Sequence, residues 1–304
     1  MLYPEFEELI SYKNLKWDVT LTSKRQVQSG VLGGHHSPFR GTGLEFDSVR
    51  KYVPGDDIRN IDWRVTARTG SPHLKIFQEE RQREVFICVD NNAEMRFGTK
   101  GTFKSVQAAH IASMLGFQGL SHQDKIHACL FGDIAEKFKF FTPKQSKTAF
   151  LQFLKRLCEP NHEHAQVLVS EMFEQISQTA HTGSLVYFIS DFMELSRWDV
   201  YQSYLSKLSQ KCDVIFIAVN DPLDKALVQL GKWSGFSATH EKCVVDTDNI
   251  AGCELYARQW QENRETLYQI VSKFGISLLE LTTESDLKKE LLLSLHNLSK
   301  RGRL

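Results

Sequence analysis

The amino-acid sequence predicts an α/β domain, built on a mostly parallel, doubly wound sheet with helices on both faces. From residue 84 onward, short apolar runs alternate with longer segments of helical period, which is the order of βα units. The apolar runs are continuous rather than alternating, as expected for strands whose two faces are both covered by helices. A chain of 304 residues can also bury a core without help from disulfides or metals.

The N-terminal part of the chain differs from the rest because it is polar and rich in turn residues. The stretch SGVLGGHHSPFRGTG, residues 29–43, holds five of the eighteen glycines and offers little from which regular elements can be built. The sequence therefore predicts an irregular N-terminal extension over residues 1–83 and an α/β domain over residues 84–304.

The elements of the α/β domain follow from these patterns. The predicted strands are residues 84–90, 125–131, 184–190, 213–219 and 275–281. The predicted helices between them are residues 103–120, 147–158, 166–179, 199–209 and 254–274. A last helix is predicted to begin at a capping box formed by Thr283 and Asp286 and to cover the sheet with a stripe of leucines.

Composition excludes several classes of function. Thirty-seven basic and thirty-seven acidic residues cancel, so no net field attracts nucleic acid or an anionic membrane, and no nucleic-acid partner is expected. No apolar run approaches the ~18 residues of a membrane span, and the acidic start does not resemble a signal peptide. The sequence thus predicts a cytoplasmic protein with no direct membrane insertion, and its six scattered cysteines suit reduced thiols.

Carboxylates at the ends of two predicted strands are the first candidate site. Asp90 ends the first strand and is followed by Asn92 and Glu94, while Asp191 ends a central strand. Ligands of parallel sheets bind beyond the carboxyl ends of the strands, and alternating oxygen donors suit Mg²⁺. The alternative is that these residues only cap turns and helix N-termini.

The stretch YVPGDDIRNIDWRVTAR, residues 52–68, is the second candidate site. A Pro-Gly turn precedes Asp56 and Asp57, either of which can cap a short helical segment whose Ile58 and Ile61 face inward with Trp63. Across residues 35–68, six basic and five acidic residues nearly balance, which favours a partly buried, ion-paired docking element over a catalytic or phosphate-binding site. Its residues are Arg40, Arg50, Asp56, Asp57, Arg59, Asp62, Trp63, Arg64 and Arg68. Burial of this network predicts that Arg59→Ala or Asp62→Ala lowers the melting temperature by several degrees.

Four strings of the sequence together closely resemble the bacterial domain-of-unknown-function family 58. They are SPFRGTGLEFDSVRKYVPGDDIRNIDWRVTART, HLKIFQEERQREVFICVDNNAEMRFG, NDPLDKAL and VVDTDN. The resemblance runs from about residue 30 to residue 298. It implies a von Willebrand factor A-like domain from about residue 84, in the short cytoplasmic form of the family. It also implies partnership with MoxR-type AAA+ ATPases and Bat-like von Willebrand factor A proteins.

The resemblance also implies a metal-ion-dependent adhesion site, which begins with a D-x-S-x-S motif in that fold. Asp90 matches the first aspartate and Asp191 the last, but Asn92 and Glu94 stand in place of the two serines. The threonine that completes such sites has no counterpart before the helix near residue 166. The site implied is degenerate: Asp90, Asn92, Glu94 and Asp191 hold Mg²⁺ or another divalent cation, or metal binding is lost altogether.

Two functions of different classes follow. The first is a non-enzymatic adaptor that acts with a MoxR-type ATPase in the chaperone-like assembly or activation of client proteins. The second is a metal-dependent hydrolase, such as a phosphoesterase, in which Asp56 and Asp57 or Asp90 and Asp191 hold Mg²⁺ and activate water. An extracellular adhesion module is a third alternative, against which the cytoplasmic features count.

Overall fold

The computed structural model describes residues 3–15, 32–41, 45–81, 83–133, 140–141, 146–159, 166–167, 169–193, 201–236 and 242–300. Its strands are β1 (Leu32–Gly41), β2 (Glu45–Lys51), β3 (His73–Arg81), β4 (Glu84–Asp90), β5 (Lys125–Asp133), β6 (Phe140–Phe141), β7 (Gln166–Val167), β8 (Leu185–Ser190), β9 (Asp213–Asn220), β10 (Lys232–Phe236), β11 (Lys242–Asp246) and β12 (Ser277–Thr282). Its α-helices are α1 (Phe6–Ser11), α2 (Trp63–Thr69), α3 (Lys104–Ser121), α4 (Ser146–Leu157), α5 (Val169–Thr179), α6 (Gln202–Lys211), α7 (Pro222–Lys225), α8 (Ile250–Phe274) and α9 (Leu287–Lys300).

The main sheet has the order β12-β9-β8-β4-β5-β6. Its first five strands run parallel, while the short β6 and β7 pair antiparallel with β5. Within this sheet, the first strand along the chain is the central β4, and β5 lies on one side of it. The chain then crosses to the other side of β4, where β8, β9 and β12 follow in order outward. The strand order therefore reverses between β4 and β8, which is where doubly wound sheets bind ligands. The predicted α/β, doubly wound fold class is confirmed.

Both faces of the main sheet are covered, which explains the continuous apolar runs. Every residue of β4 is buried, and its side chains alternate between two core clusters. Val85 and Ile87 belong to a cluster with apolar residues of α3, α4 and α9. Phe86 and Cys88 belong to a cluster with apolar residues of α5, α6 and α8. A strand between two helical layers needs apolar residues at successive positions, not only at alternate ones.

The last helix begins later than the sequence predicts. The capping box at Thr283 is wrong, because α9 starts at Leu287 and Asp286 caps it, with Oδ1 accepting a hydrogen bond from the backbone nitrogen of Lys289 at 3.4 Å. Thr283 instead donates its hydroxyl proton to Oδ2 of Asp221, at 2.7 Å. The leucine stripe is confirmed, since Leu287, Leu291, Leu295 and Leu298 are buried against the sheet.

The N-terminal region is more regular than predicted. It contains a three-stranded antiparallel sheet in the order β1-β3-β2. Strands such as HLKIFQEER mix polar with apolar residues, so they give a weaker sequence signal than a doubly covered strand. The helix α1 packs elsewhere: Leu9 is buried in the cluster beneath α3, and its carbonyl accepts a hydrogen bond from Ser113 Oγ at 2.6 Å. The domain division at residue 83 stays a prediction.

Three further features bear on the other predictions. An antiparallel hairpin of β10 and β11, which the sequence patterns did not reveal, separates α7 from α8 along the chain. Among the described residues, no helix combines the length and the apolar composition needed to cross a bilayer. Free thiols are present at Cys88, Cys129, Cys158, Cys212 and Cys253.

Candidate functional site

Four aspartates gather at the carboxyl ends of the central strands. Asp90 ends β4, Asp191 follows β8, and Asp221 and Asp224 flank the start of α7 after β9, all of them buried. Because β4 and β8 are neighbours, Asp90 and Asp191 lie on either side of the point where the strand order reverses. We call these four aspartates, together with Lys104 and Arg264, the strand-end cluster.

Asp90 is held by donors on both of its oxygens. Oδ1 accepts a hydrogen bond from the backbone nitrogen of Asn92 at 2.9 Å, and Oδ2 accepts one from Ser190 Oγ at 2.5 Å. Burial raises the pKa of Asp90 to about 7, and the neighbouring charge of Asp191 adds to the rise. The carboxyl group of Asp90 therefore binds a proton more tightly than an ordinary aspartate does.

Asp191 pairs with a buried lysine. Lys104, the first residue of α3, places Nζ 2.6 Å from Oδ2 of Asp191 and 3.2 Å from Oδ2 of Asp224. The other oxygen of Asp191 accepts a hydrogen bond from the backbone nitrogen of Met193 at 3.1 Å. Burial alone would lower the pKa of Lys104, but the two carboxylates outweigh it and raise the pKa, so the amine carries its charge.

Asp221 accepts hydrogen bonds from three segments of the chain. Its oxygens accept hydrogen bonds from the backbone nitrogen and hydroxyl of Thr99 at 2.9 and 2.7 Å, from Leu223 N at 3.0 Å, and from Thr283 Oγ1 at 2.7 Å. Burial alone would raise the pKa of Asp221, but these hydrogen bonds outweigh it and hold the pKa below its usual value. Asp221 thus ties together the loop before α3, the start of α7 and the turn after β12.

Arg264 of α8 anchors the ends of two strands. Its Nη2 donates to the backbone carbonyl of Asp191 at 2.7 Å and to the side-chain oxygen of Asn220. The guanidinium group is buried and lies 5.3 Å from the ring centre of Trp260. The ends of β8 and β9 are therefore fixed by a cation from the helical layer.

The four predicted metal ligands differ in their burial. Asp90 and Asp191 are buried in the cluster, whereas Asn92 is half-buried and Glu94 is exposed, although the charge of Glu94 also contributes to the raised pKa of Asp90. The i, i+2, i+4 spacing requires an extended loop, but Ala93–Arg96 forms a 3-10 helix, and Glu94 is exposed. The side chain of Asn92 lies against Gly132, where an added Cβ would come within 2.5 Å of its Oδ1.

These residues do not fit a divalent-cation site. In the part of the chain that the structure describes, no group of three or more histidine, cysteine, aspartate or glutamate side chains is placed to hold a metal ion. Each buried carboxylate of the strand-end cluster already accepts hydrogen bonds from internal donors. The positive charge nearest to Asp191 and Asp224 is the ammonium group of Lys104.

The motif of residues 52–68 takes part in ion pairs, as predicted, but on the surface. Arg50 binds Asp56 through two hydrogen bonds of 2.7 Å, and Arg59 binds Asp57 with its Nη2 at 2.8 Å. Both arginines are exposed, so the predicted burial of this network is wrong. Asp57 caps the 3-10 helix Ile58–Asn60, as predicted.

The remaining motif residues have simple placements. Asp62 caps α2 by accepting hydrogen bonds from the backbone nitrogens of Arg64 and Val65 at 3.0 and 3.1 Å. Arg64 and Arg68 lie exposed on that helix. Arg40 lies on β1, in register with Gln78 of β3.

The predicted inward orientation holds for one of three apolar residues. Ile61 is buried because the chain becomes extended there and pairs with Leu74 as an isolated bridge. Ile58 and Trp63 are exposed, as is Val53 just before them. The motif therefore presents apolar side chains to solvent, contrary to the prediction for Ile58 and Trp63.

Sequence patterns missed Lys104, Ser190, Asp221, Asp224 and Arg264. A signal existed for the two aspartates, because NDPLDKAL combines an N-cap aspartate, proline at the first helical position and a second aspartate three residues on. Lys104 carried a weaker signal: a cation in the first turn of a helix opposes the helix dipole and indicates an acidic partner. Arg264 carried none.

A second cluster of ionisable groups, centred on the buried Glu84, lies at the opposite, amino end of β4. Glu84 contacts His181 Nδ1 at 2.8 Å, His127 Nε2 at 3.7 Å and Lys125 Nζ at 3.3 Å. Burial alone would raise the pKa of Glu84, but its interactions with His127 and His181 outweigh it and lower the pKa to about 2. This cluster joins the starts of β4 and β5 to the loop before β8.

Comparison with known proteins identifies similar chains. A family model described as "Protein of unknown function DUF58" matches residues 48–266. An uncharacterized protein of Mycobacterium tuberculosis is 27% identical over 270 residues, which cover 88% of this chain and 83% of the relative.

Solved structures with similarity to this chain are more distant in sequence. One is an aerotolerance-related membrane protein from Bacteroides fragilis, with 13% identity, a TM-score of 0.42 and coverage of 72% of this chain and 99% of that chain. Another is a von Willebrand factor type A protein from Catenulispora acidiphila, with 9% identity, a TM-score of 0.40 and coverage of 75% and 44%.

Proposed function

The chain belongs to the DUF58 family of proteins of unknown function, and on that premise we propose that it is a non-enzymatic adaptor that acts with a MoxR-type AAA+ ATPase. In this proposal the adaptor works in the cytoplasm, in the chaperone-like assembly or activation of client proteins. Bat-like von Willebrand factor A proteins are its further partners. The α/β domain serves as the scaffold on which the contact surface is built.

The observation that carries the proposal is a group of exposed apolar side chains in the N-terminal motif. Val53, Ile58 and Trp63 are 56%, 63% and 70% exposed, and we call them the motif patch. Large apolar residues in one short exposed stretch indicate a surface for a protein partner, and tryptophan often dominates the binding energy of such surfaces. The motif patch lies within the segment that the family model matches.

The surroundings of the motif patch favour a preformed surface. The Arg50–Asp56 and Arg59–Asp57 pairs and the Asp62 cap fix the backbone on both sides of Ile58. A surface whose backbone is already ordered loses less conformational entropy when a partner binds. The charged residues Arg50, Asp57 and Arg59 are exposed within the same stretch as the apolar side chains.

The hydrolase alternative has no support in the geometry. Asp56 and Asp57 are each engaged by an arginine, which leaves no pair of free carboxylates there. The buried aspartates of the strand-end cluster are likewise engaged by internal hydrogen-bond donors, which include the hydroxyl groups of Ser190, Thr99 and Thr283.

The test is a binding measurement between the purified chain and the MoxR-type ATPase of the same organism, with ATP present. Trp63→Ala is expected to weaken binding at least tenfold, because loss of a hot-spot side chain costs more than about 1.4 kcal/mol. Leu230→Ala is the matched control, since Leu230 is also 70% exposed but lies outside the motif. Failure of the unmodified chain to bind, or equal binding by the two variants, would overturn the proposal.

A further inference from the structure

The strand-end cluster has a cation of its own. Lys104 is only 2% exposed, and its ammonium group contacts the carboxylates of Asp191 at 2.6 Å and Asp224 at 3.2 Å. Two buried carboxylates require a positive charge or a proton, because an unpaired buried charge is strongly unfavourable. The lysine supplies that charge without any ligand from solution.

Phe97 contacts both the backbone and the ammonium group of Lys104. Lys104 begins α3, and its backbone nitrogen donates to the carbonyl of Phe97 at 2.9 Å. The ring of Phe97 lies 5.7 Å from Nζ and closes one side of the contact. The lysine is therefore held in place by the loop that precedes the helix.

The carboxylates of Asp90 and Asp221 are stabilised by hydrogen bonds and do not require a second cation. Asp90 accepts hydrogen bonds from Ser190 and Asn92, and Asp221 accepts four hydrogen bonds from Thr99, Leu223 and Thr283. Of the two further ligands that the sequence predicts, Asn92 lies with its Oδ1 against Gly132, and Glu94 is exposed in a 3-10 helix. The carboxylate oxygens of the buried aspartates are thus already engaged by internal hydrogen-bond donors.

We infer that the ammonium group of Lys104 takes the place of a divalent cation at the carboxyl end of the sheet, so that this chain neutralises the site with its own side chain. The consequence is specific: removal of the ammonium group exposes an anionic cavity lined by Asp191 and Asp224. That cavity would accept either Mn²⁺ or a small alkylammonium ion.

The test compares Mn²⁺ binding, followed by electron paramagnetic resonance, in the unmodified chain and in variants. The unmodified chain is expected to bind no Mn²⁺ at this site. Asp191→Asn should therefore leave the Mn²⁺ binding of the chain unchanged. Lys104→Ala is expected to gain one Mn²⁺ per chain, and Lys104→Ala/Asp191→Asn is expected to lose it again. Lys100→Ala is the matched control, because Lys100 is exposed and paired with the exposed Glu284 at 3.0 Å.

Thermal unfolding provides a second measurement on the same variants. Lys104→Ala is expected to melt several degrees lower than Lys100→Ala, and Mn²⁺ or methylammonium is expected to restore part of the loss. Tetramethylammonium, which cannot donate hydrogen bonds, is expected to have no such effect. Equal melting temperatures of the two variants, or a folded Lys104→Ala chain that gains no Mn²⁺, would contradict the inference.

Two measurements on the unmodified chain remain decisive if Lys104→Ala does not fold. One bound Mn²⁺ per chain that is abolished by Asp191→Asn would overturn the inference. Reductive methylation under native conditions is expected to modify Lys100 at least tenfold faster than Lys104, because the amine of Lys104 is buried whereas that of Lys100 is exposed. Equal rates at the two lysines would show that the ammonium group is free, and this result too would overturn it.

Discussion

Nζ of Lys104 lies 2.6 Å from Oδ2 of Asp191, and this contact joins the start of α3 to the end of β8. It spans 87 positions of the chain and sits where the order of the strands reverses. A lysine in the first turn opposes the helix dipole, so the pairing with Asp191 and Asp224 must compensate for that cost. The carboxyl end of the sheet is therefore organised by internal charge pairing.

The hydrogen bond from Thr283 to Asp221 provides a direct test of this organisation. Thr283→Val keeps the shape of the side chain but removes one donor to a buried carboxylate, so the free energy of unfolding should fall by about 1.5 to 3 kcal/mol. Urea denaturation at pH 7 measures the change. Thr282→Val is the control, because Thr282 is exposed and its loss should stay within about 0.5 kcal/mol. Equal effects of the two changes would show that Asp221 does not depend on Thr283.

The raised pKa of Asp90 predicts a pH dependence of stability. The pKa rises from an ordinary value of 3.8 to about 7 on folding, so the native state binds the proton more tightly than the unfolded state. The protonated carboxyl contributes stability below pH 4, and this contribution is lost as the pH rises to 7, by at most about 4 kcal/mol. Asp90→Asn should therefore show a smaller loss of stability between pH 4 and 7. Denaturation curves at each pH measure it, and Glu254→Gln, at an exposed carboxyl of α8, should follow the unmodified chain.

The lowered pKa of Glu84 predicts the opposite dependence at acid pH. The pKa falls from 4.5 to about 2 on folding, so the ionised carboxylate contributes stability above pH 4.5. That contribution, on the order of 3 kcal/mol, is lost as the pH falls from 4.5 towards 2. Glu84→Gln should be less stable than the unmodified chain at pH 6, and the difference should shrink below pH 4. Glu284→Gln, at an exposed glutamate paired with Lys100, should show little difference at either pH.

The strands β4, β5, β8 and β9 could be predicted because each is covered on both faces, whereas the edge strand β12 is covered on one face only. Val85 and Phe86 point to opposite sides of β4, yet both are buried, so the sequence shows an unbroken apolar run. The N-terminal sheet escaped prediction because its strands mix polar and apolar residues. The start of α9 was misplaced for a different reason: Thr283 and Asp286 have the spacing of a capping box, but the hydroxyl of Thr283 is used by Asp221, far away in the sequence.

The candidate site could be predicted only in part. The proximity of Asp90 and Asp191 follows from the general rule that parallel strands end at one edge of the sheet. Spacing failed for Glu94, because a 3-10 helix replaces the extended loop that the spacing assumed. Lys104 and Arg264 could not be predicted, since each meets its partners through tertiary packing of helices onto distant strand ends. Local patterns contain no information on such contacts.

Residues 52–68 contain two kinds of stabilising contact, an exposed ion pair and a helix cap. Arg59 is 88% exposed and pairs with a neighbouring carboxylate, so Arg59→Ala should leave the melting temperature almost unchanged, contrary to the expectation for a buried network. Asp62 caps α2 through two backbone nitrogens, and Asp62→Ala should cost about 0.5 to 2 kcal/mol in the free energy of unfolding. Asp62→Asn, which retains a side-chain acceptor, should recover most of that loss. Calorimetric melting curves of the three variants measure these effects. A large loss with Arg59→Ala would mean that the Arg59–Asp57 pair supports the fold, and the motif would then be a structural element and not a contact surface.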